Sequence, residues 1–320
     1  MQKIPVFQTV GHAYGFAFGR YLSTLSIVWL PLLVLYTLGY FLVLPNLGQV
    51  FAVLSQIMQH PTDTAANNAL VVEMNRHTAY LQLFNLIQLA ISVMILSGIT
   101  KEVLGMRTGS RFYYLQFGSA ELQVLVALIL TVVIIFGVIF AAVLGGVIIG
   151  VIGVLLAGAA ASGNGATLAE GLVGFIAFIA AFCASFYVLA RALFLIVPAS
   201  VAENSIAISR SWQLSRGNVW RIFGAVVMTV LPLAIAEMIV LGILLGPIVA
   251  QLAQEAQSGG QQAVQQHVAA MMQEIPRFLV LFAPVAFFLS PFIYGLWVSL
   301  PAFAYRALVP AQAKDAASHF

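Results

Sequence analysis

Long apolar runs alternate with short polar segments along this chain, and the alternation predicts its elements. Six runs, at about 22–45, 79–100, 121–157, 172–199, 222–250 and 278–304, are each long enough to cross a hydrocarbon core about 30 Å thick at about 1.5 Å per residue. Backbone polar groups inside lipid must be satisfied within the segment, so the runs are read as helices. The third is longer than one straight crossing needs. It tilts, extends past the membrane, or breaks near Gly145-Gly146. The expected fold is therefore all-α: a polytopic membrane protein of six transmembrane helices, arranged as three tandem helix hairpins with cytoplasmic interfacial segments. The tandem units fall at about 1–100, 101–199 and 200–305, with a short tail over 306–320.

Composition strengthens this reading. Hydrophobic residues make up 62% of the 320 positions and charged residues 7%, against roughly 25% charged in soluble domains. The single cysteine, Cys183, lies in an apolar run and cannot close an internal disulfide. The run from Tyr21 is too long for a signal peptide and lacks a small-x-small cleavage site.

Charge sets the expected orientation. Lys3, Arg20, Lys101, Arg107, Arg111, Arg191, Arg210, Arg216, Arg221, Arg306 and Lys314 fall on one side, eleven of the 13 basic residues, and only Arg76 and Arg277 on the other. The positive-inside rule then places both termini in the cytoplasm of a bacterial inner membrane. The net charge of +3 follows from this bias and needs no nucleic-acid partner. On the outer side, residues 46–78 and 251–277 are expected to be long loops with amphipathic segments, and 158–171 a short one rich in Gly and Ala.

A pattern of basic residue, x, aromatic, x, apolar, x, x, Gly occurs three times. The copies are His12, Tyr14, Phe16, Gly19; then Arg111, Tyr113, Leu115, Gly118; then Arg210, Trp212, Leu214, Gly217. Each precedes an odd-numbered span on the basic side, as parallel repeats about the membrane normal would. The expected role is anchoring, with the aromatic at headgroup level, the basic residue on anionic lipid and the Gly freeing the bend into the span.

The stretch from Arg191 to Trp220 carries a resemblance. Arg191, Pro198, Glu203, then Arg210, Ser211, Trp212, Leu214, Gly217 and Trp220 are similar to a motif in the membrane domain attached to some bacterial glycerophosphoryl diester phosphodiesterases, and to related stand-alone multi-span proteins. The matching stretch covers about a tenth of the chain. The resemblance implies a helical inner-membrane domain with no catalytic part, and the apolar runs leave no room for the soluble phosphodiesterase half.

Ionisable groups inside a membrane are functional candidates by default. Here these are Arg191 in the fourth run and Glu237 in the fifth. They either pair across an internal cavity, or Arg191 snorkels to the headgroups while Glu237 meets a polar neighbour. Counted from the inner ends of their spans, their depths differ by about 12 Å at helical rise. No direct salt bridge is therefore expected, and Glu237 is expected uncharged or bonded to a hydroxyl or amide. Gln82, Asn85, Gln88 and Ser92 form a polar stripe on the second span, suited to interhelical hydrogen bonds or to a solute path. Gly146 and Gly150 suit close helix packing, and Pro31, Pro232, Pro284 and Pro291 permit kinks.

Catalytic chemistry is not legible. His60 and Asp63 make a weak metal pair, and no nucleophile–base set or phosphate-cradling loop occurs. No cofactor or metal is expected. Two function classes remain. One is a non-catalytic membrane module in envelope or lipid homeostasis or in assembly, contacting anionic headgroups at its cytoplasmic face and a membrane-protein partner or a second copy. The other is a transporter or channel for a small or amphipathic solute, with Glu237 and Arg191 in the pathway.

Overall fold

The computed structural model describes residues 2–59, 64–107, 117–160, 178–179, 182–258 and 260–309. Among these every regular element is helical. The helices are α1 (Val6–Gly19), α2 (Tyr21–Leu38), α3 (Leu44–Gln59), α4 (Thr64–Leu104), α5 (Ser119–Ala160), α6 (182–193), α7 (Ile196–Glu203), α8 (Ile208–Leu214), α9 (Val219–Ser258) and α10 (Gly260–Leu308). Six stretches are long and apolar enough to cross a membrane: Tyr21–Ile57, Asn68–Leu104, Ser119–Gly145, Phe182–Glu203, Val219–Ile243 and Ile275–Leu308.

Two sequence expectations change and one open alternative closes. The outer segments 46–78 and 251–277 are not loops. Helices α3, α4, α9 and α10 run through them almost end to end. Short polar residues such as Asn68, Gln251 and Gln254 are good enough helix formers to extend a helix that the apolar span has already nucleated. At 49 residues α10 is about 74 Å long, well over twice the hydrocarbon core. The third run is one unbroken helix of 42 residues, with no break at Gly145-Gly146. The fourth run does break, at Phe194–Leu195, between α6 and α7.

The first run carries a π-helical turn at Gly39–Val43 between α2 and α3. Gly39 lies close to the Phe84 ring of α4, where a Cβ would come within 3.8 Å. Beyond it the Asn46 amide donates to the Leu42 carbonyl at 2.7 Å, and its Oδ1 lies 2.8 Å from His77 Nδ1. Together α2 and α3 thus pack along α4, from Asn46–His77 at one end to Ser23–Glu102 at the other. The α10 helix closes this group through Tyr36, Phe287, Val298 and Ala302.

Small residues draw α1 against α10. Ala13 and Ala17 are fully buried, and a Cβ on Gly295 would lie 3.6 Å from Ala17. On the other side α5, α6 and α7 pack with α4, α9 and α10 around Val93, Val124, Leu195, Ile222 and Tyr305. All these buried clusters lie toward the end bearing most of the basic residues. Away from that end α3 stays packed on α4 and α10, with Val53 and Ser55 buried, while the α9 window within Val219–Ile243 is only 6% buried.

Candidate functional site

The end that gathers the arginines is built from chain breaks. Where α6 stops, its last carbonyls lose their helical donors. The Arg191 carbonyl instead accepts from the Ser211 hydroxyl at 3.2 Å and the Ser215 hydroxyl at 2.9 Å, both carried by α8 or its cap. The Arg191 side chain turns onto the same helix. Its guanidinium lies 4.0 Å from the centroid of the Trp212 ring, donates to the Trp212 carbonyl at 3.0 Å and donates to the Tyr187 hydroxyl at 3.0 Å. Arg191 is 9% exposed and pairs with no carboxylate among the described residues; its Nε has no hydrogen-bond partner. A weakly hydrated, planar cation stacked on a ring tolerates this better than an ammonium would.

Arg191 is thus neither snorkelling freely nor paired with Glu237. Glu237 is exposed on α9 and has no hydrogen bond or ion pair with any described residue, so the hydroxyl or amide neighbour expected for it is not there. Gln82, Asn85 and Gln88 are likewise exposed rather than bonded between helices.

Four other basic residues of this end meet acids. Glu121, 1% exposed, accepts from the Ser97 hydroxyl at 2.9 Å and the Lys101 ammonium at 2.7 Å. It also accepts from the Gly118 N–H at 3.0 Å, which caps the start of α5. Glu102 lies 3.3 Å from both Arg20 and Arg107 and accepts from Ser23. Glu203 holds Arg210 at 3.0 Å and accepts from the Tyr305 hydroxyl at 3.5 Å. Arg306 donates to the Val103 carbonyl at 3.0 Å.

The chain start is tied into the same end. Asn218 accepts from the Ile4 N–H and donates to the Gln2 carbonyl, while Arg221 donates to the Ile4 carbonyl at 2.9 Å. Two positive-φ glycines make the turns that allow this. Gly105 (φ 74°) ends α4 with the Met106 N–H on the Lys101 carbonyl, and Gly217 (φ 75°) separates α8 from α9.

The threefold pattern finds unequal surroundings. Gly217 makes a bend, but Gly19 is the last residue of α1 and needs no positive φ; Arg20 takes up the turn instead. The Tyr14 hydroxyl donates to the Thr229 carbonyl, ten residues into α9, and burial pushes its phenol above the ordinary range. Trp212 carries Arg191, and Trp220 is 81% exposed. Gly118 caps α5, while Arg111, Tyr113 and Leu115 lie outside the described residues, as do His60, Asp63 and Lys314. Sequence reasoning missed Ser97, Glu121, Asn218 and Tyr305. The signal available for Glu121 was its place at the mouth of a span, twenty residues after Lys101.

Two cavities stand out. One, about 550 Å³, lies beside the π-helical turn and is almost wholly apolar, lined by Tyr36, Tyr40, Phe41, Phe84 and Leu279. The other, also about 550 Å³, lies between α1 and the end of α10 and is lined by Gln8, Thr9, His12, Arg20, Phe303 and Arg306. Compared with family models, curated proteins and solved structures, the chain matches none of them.

Proposed function

We propose that this is a non-catalytic bacterial inner-membrane protein, built as three tandem helix hairpins with both termini cytoplasmic, that works at the lipid surface in envelope homeostasis or in assembly with a membrane partner. The observation that carries the reading is the end where Arg191, Trp212, Ser211 and Ser215 interlock beside three acid–base clusters. Arginine and tryptophan at the end of apolar spans belong at a membrane–water interface, and the side rich in basic residues belongs inside. Residues of the motif shared with the phosphodiesterase-attached membrane domain meet in this network: Arg191 with Ser211 and Trp212, and Glu203 with Arg210. That supports kinship with its membrane part, as an anchoring element. Purification from native membranes in a mild detergent tests the proposal. Anionic phospholipid and a membrane-protein partner or second copy should remain bound; a protein stripped of both without loss of stability argues against it.

A second reading, a pathway for a small or amphipathic solute, draws on one specific feature. Glu237 lies eleven residues from Val226 and Gln82 eleven from Val93, close to three helical turns in each case. Val226 and Val93 pack in the core, yet Glu237 and Gln82 on the same faces are exposed. Counted from the inner ends of their helices they stand at about 27 and 33 Å. Labelling of Glu237→Cys by a membrane-impermeant maleimide added outside cells favours this reading, and protection there goes against it.

A further inference from the structure

We infer that the cavity between α1 and the end of α10 is a phosphate-headgroup site for an anionic phospholipid. The inference rests on reading this end as the one facing the inner leaflet. The argument starts from glycine. Gly11 and Gly15 stand one turn apart on α1, and a Cβ built on either meets nothing within 4 Å. Neither position is strained, since both have ordinary helical φ. In a helix, glycine costs about 1 kcal/mol relative to alanine. Here it leaves one face of α1 bare where the cavity opens, deep enough at about 550 Å³ to fall within the ordinary range for ligand pockets.

The charge around that bare face is unbalanced. Arg20, its side chain 64% exposed, reaches Glu102 through one nitrogen at 3.3 Å. Arg306 spends one N–H on the Val103 carbonyl and lies 6.0 Å from the Phe303 ring centroid, with no acid paired to it among the described residues. His12 adds its ring against Phe303 at 5.5 Å. Two guanidiniums therefore border one cavity with donors to spare, each held in place by a contact on α4. Planar forks of this kind match phosphate oxygens, and basic pockets between helices on the cytoplasmic side suit anionic headgroups. The Thr9 hydroxyl and Gln8 amide supply neutral hydrogen-bonding groups for a glycerol or other polyol. Phosphate is the shared chemistry; a lipid and free phosphate are its two sources.

The test uses the full chain in neutral detergent and follows thermal unfolding during separate titrations with dioleoylphosphatidylglycerol, dioleoylphosphatidylcholine and inorganic phosphate. Phosphatidylglycerol should raise Tm by about 5 °C at saturation, and the other two should not. A Cβ at Gly15 meets nothing within 4 Å, so Gly15→Leu extends into the open cavity; it should keep or slightly raise the lipid-free Tm and lose the lipid-dependent rise. Arg20→Gln with Arg306→Gln should lose the rise as well. Arg216→Gln, an exposed cation outside the cavity, should keep it. A rise that survives Gly15→Leu, or falls equally in Arg216→Gln, overturns the site in favour of general charge attraction. An equal rise with inorganic phosphate keeps the anion pocket but overturns its lipid source and the lipid reading of the function. No rise with any of the three overturns the site alone.

Discussion

The two ends of this molecule solve the problem of polar groups in lipid in opposite ways. At the basic end, helices stop, turn and restart, and side chains close several of the breaks: Ser211 and Ser215 on the Arg191 carbonyl, Glu121 on the Gly118 N–H, Asn218 on the chain start. Away from that end side chains help at single points, as where Asn46 donates to the Leu42 carbonyl beside the π-helical turn, and α5, α9 and α10 continue as unbroken helices, most of whose amides satisfy one another. Exposed Phe136, Phe140, Leu231, Met238 and Ile243 show how little those helices ask of their neighbours. Lipid tails are as apolar as these side chains, so burial between helices gains little there. The difference teaches that fold specificity resides largely at the basic end, where unsatisfied groups would be costly, while the far parts of α5 and α9 are held mainly by helix continuity.

The largest expected effect tests that claim directly. Glu121→Ala removes an acceptor used by Ser97, Lys101 and Gly118 at once, in a side chain only 2% exposed. Breaking a buried pair from one side costs about 3–5 kcal/mol. Since Lys101 is 19% exposed and can rehydrate in part, about 3 kcal/mol is expected. Reversible unfolding in detergent reads the loss, and a variant as stable as the parent breaks the comparison. Arg191→Gln comes next at about 2 kcal/mol, from lost stacking on Trp212 and a lost charged donor to its carbonyl. Arg191→Lys should recover less than half of it, because an ammonium lacks the planar fork. Asn218→Ala is smaller, about 1–2 kcal/mol, and should speed hydrogen exchange at the Ile4 amide, which would lose its acceptor among the described residues.

What was legible in the sequence follows the same division. Six spans can be read from apolar runs because membrane insertion depends on composition summed over many residues. The extension of helices into 46–59, 64–78, 251–258 and 260–277 cannot, since polar residues are neutral toward helix and loop until a nucleated neighbour decides. At the candidate site, Arg191 and Trp212 stand out as residue types out of place, and so could be picked. That they would stack depends on the break at Phe194–Leu195, four residues before Pro198, whose missing N–H and ring oppose a helical bond to the Phe194 carbonyl; the signal was in the sequence but marks only a break, not what the freed end would meet. Glu121 looked like an ordinary first-turn acid, and its burial comes from Ser97 and Lys101 on another helix.

Glu237→Gln should have the smallest effect and sharpens the comparison from the other side. Position alone made Glu237 the counterpart of Arg191, a charge inside a span. The surroundings separate them. Arg191 is nine-tenths buried and makes two hydrogen bonds and ring contacts with Trp212 and Tyr187 through its guanidinium, whereas Glu237 is exposed and bonds to no described residue. Gln keeps the shape, one acceptor and a donor, and removes only the ionisable proton. With no partner to lose, the change should stay within about 0.5 kcal/mol, the range of substitutions away from specific interactions. Thermal unfolding of Glu237→Gln and Arg191→Gln side by side, in the same detergent with phosphatidylglycerol present, measures the contrast. A loss for Glu237→Gln as large as for Arg191→Gln means the carboxylate is held by a cation from a second copy or another chain. The outer helices would then be specified by a partner after all, and the division between the two ends would belong to the isolated chain alone.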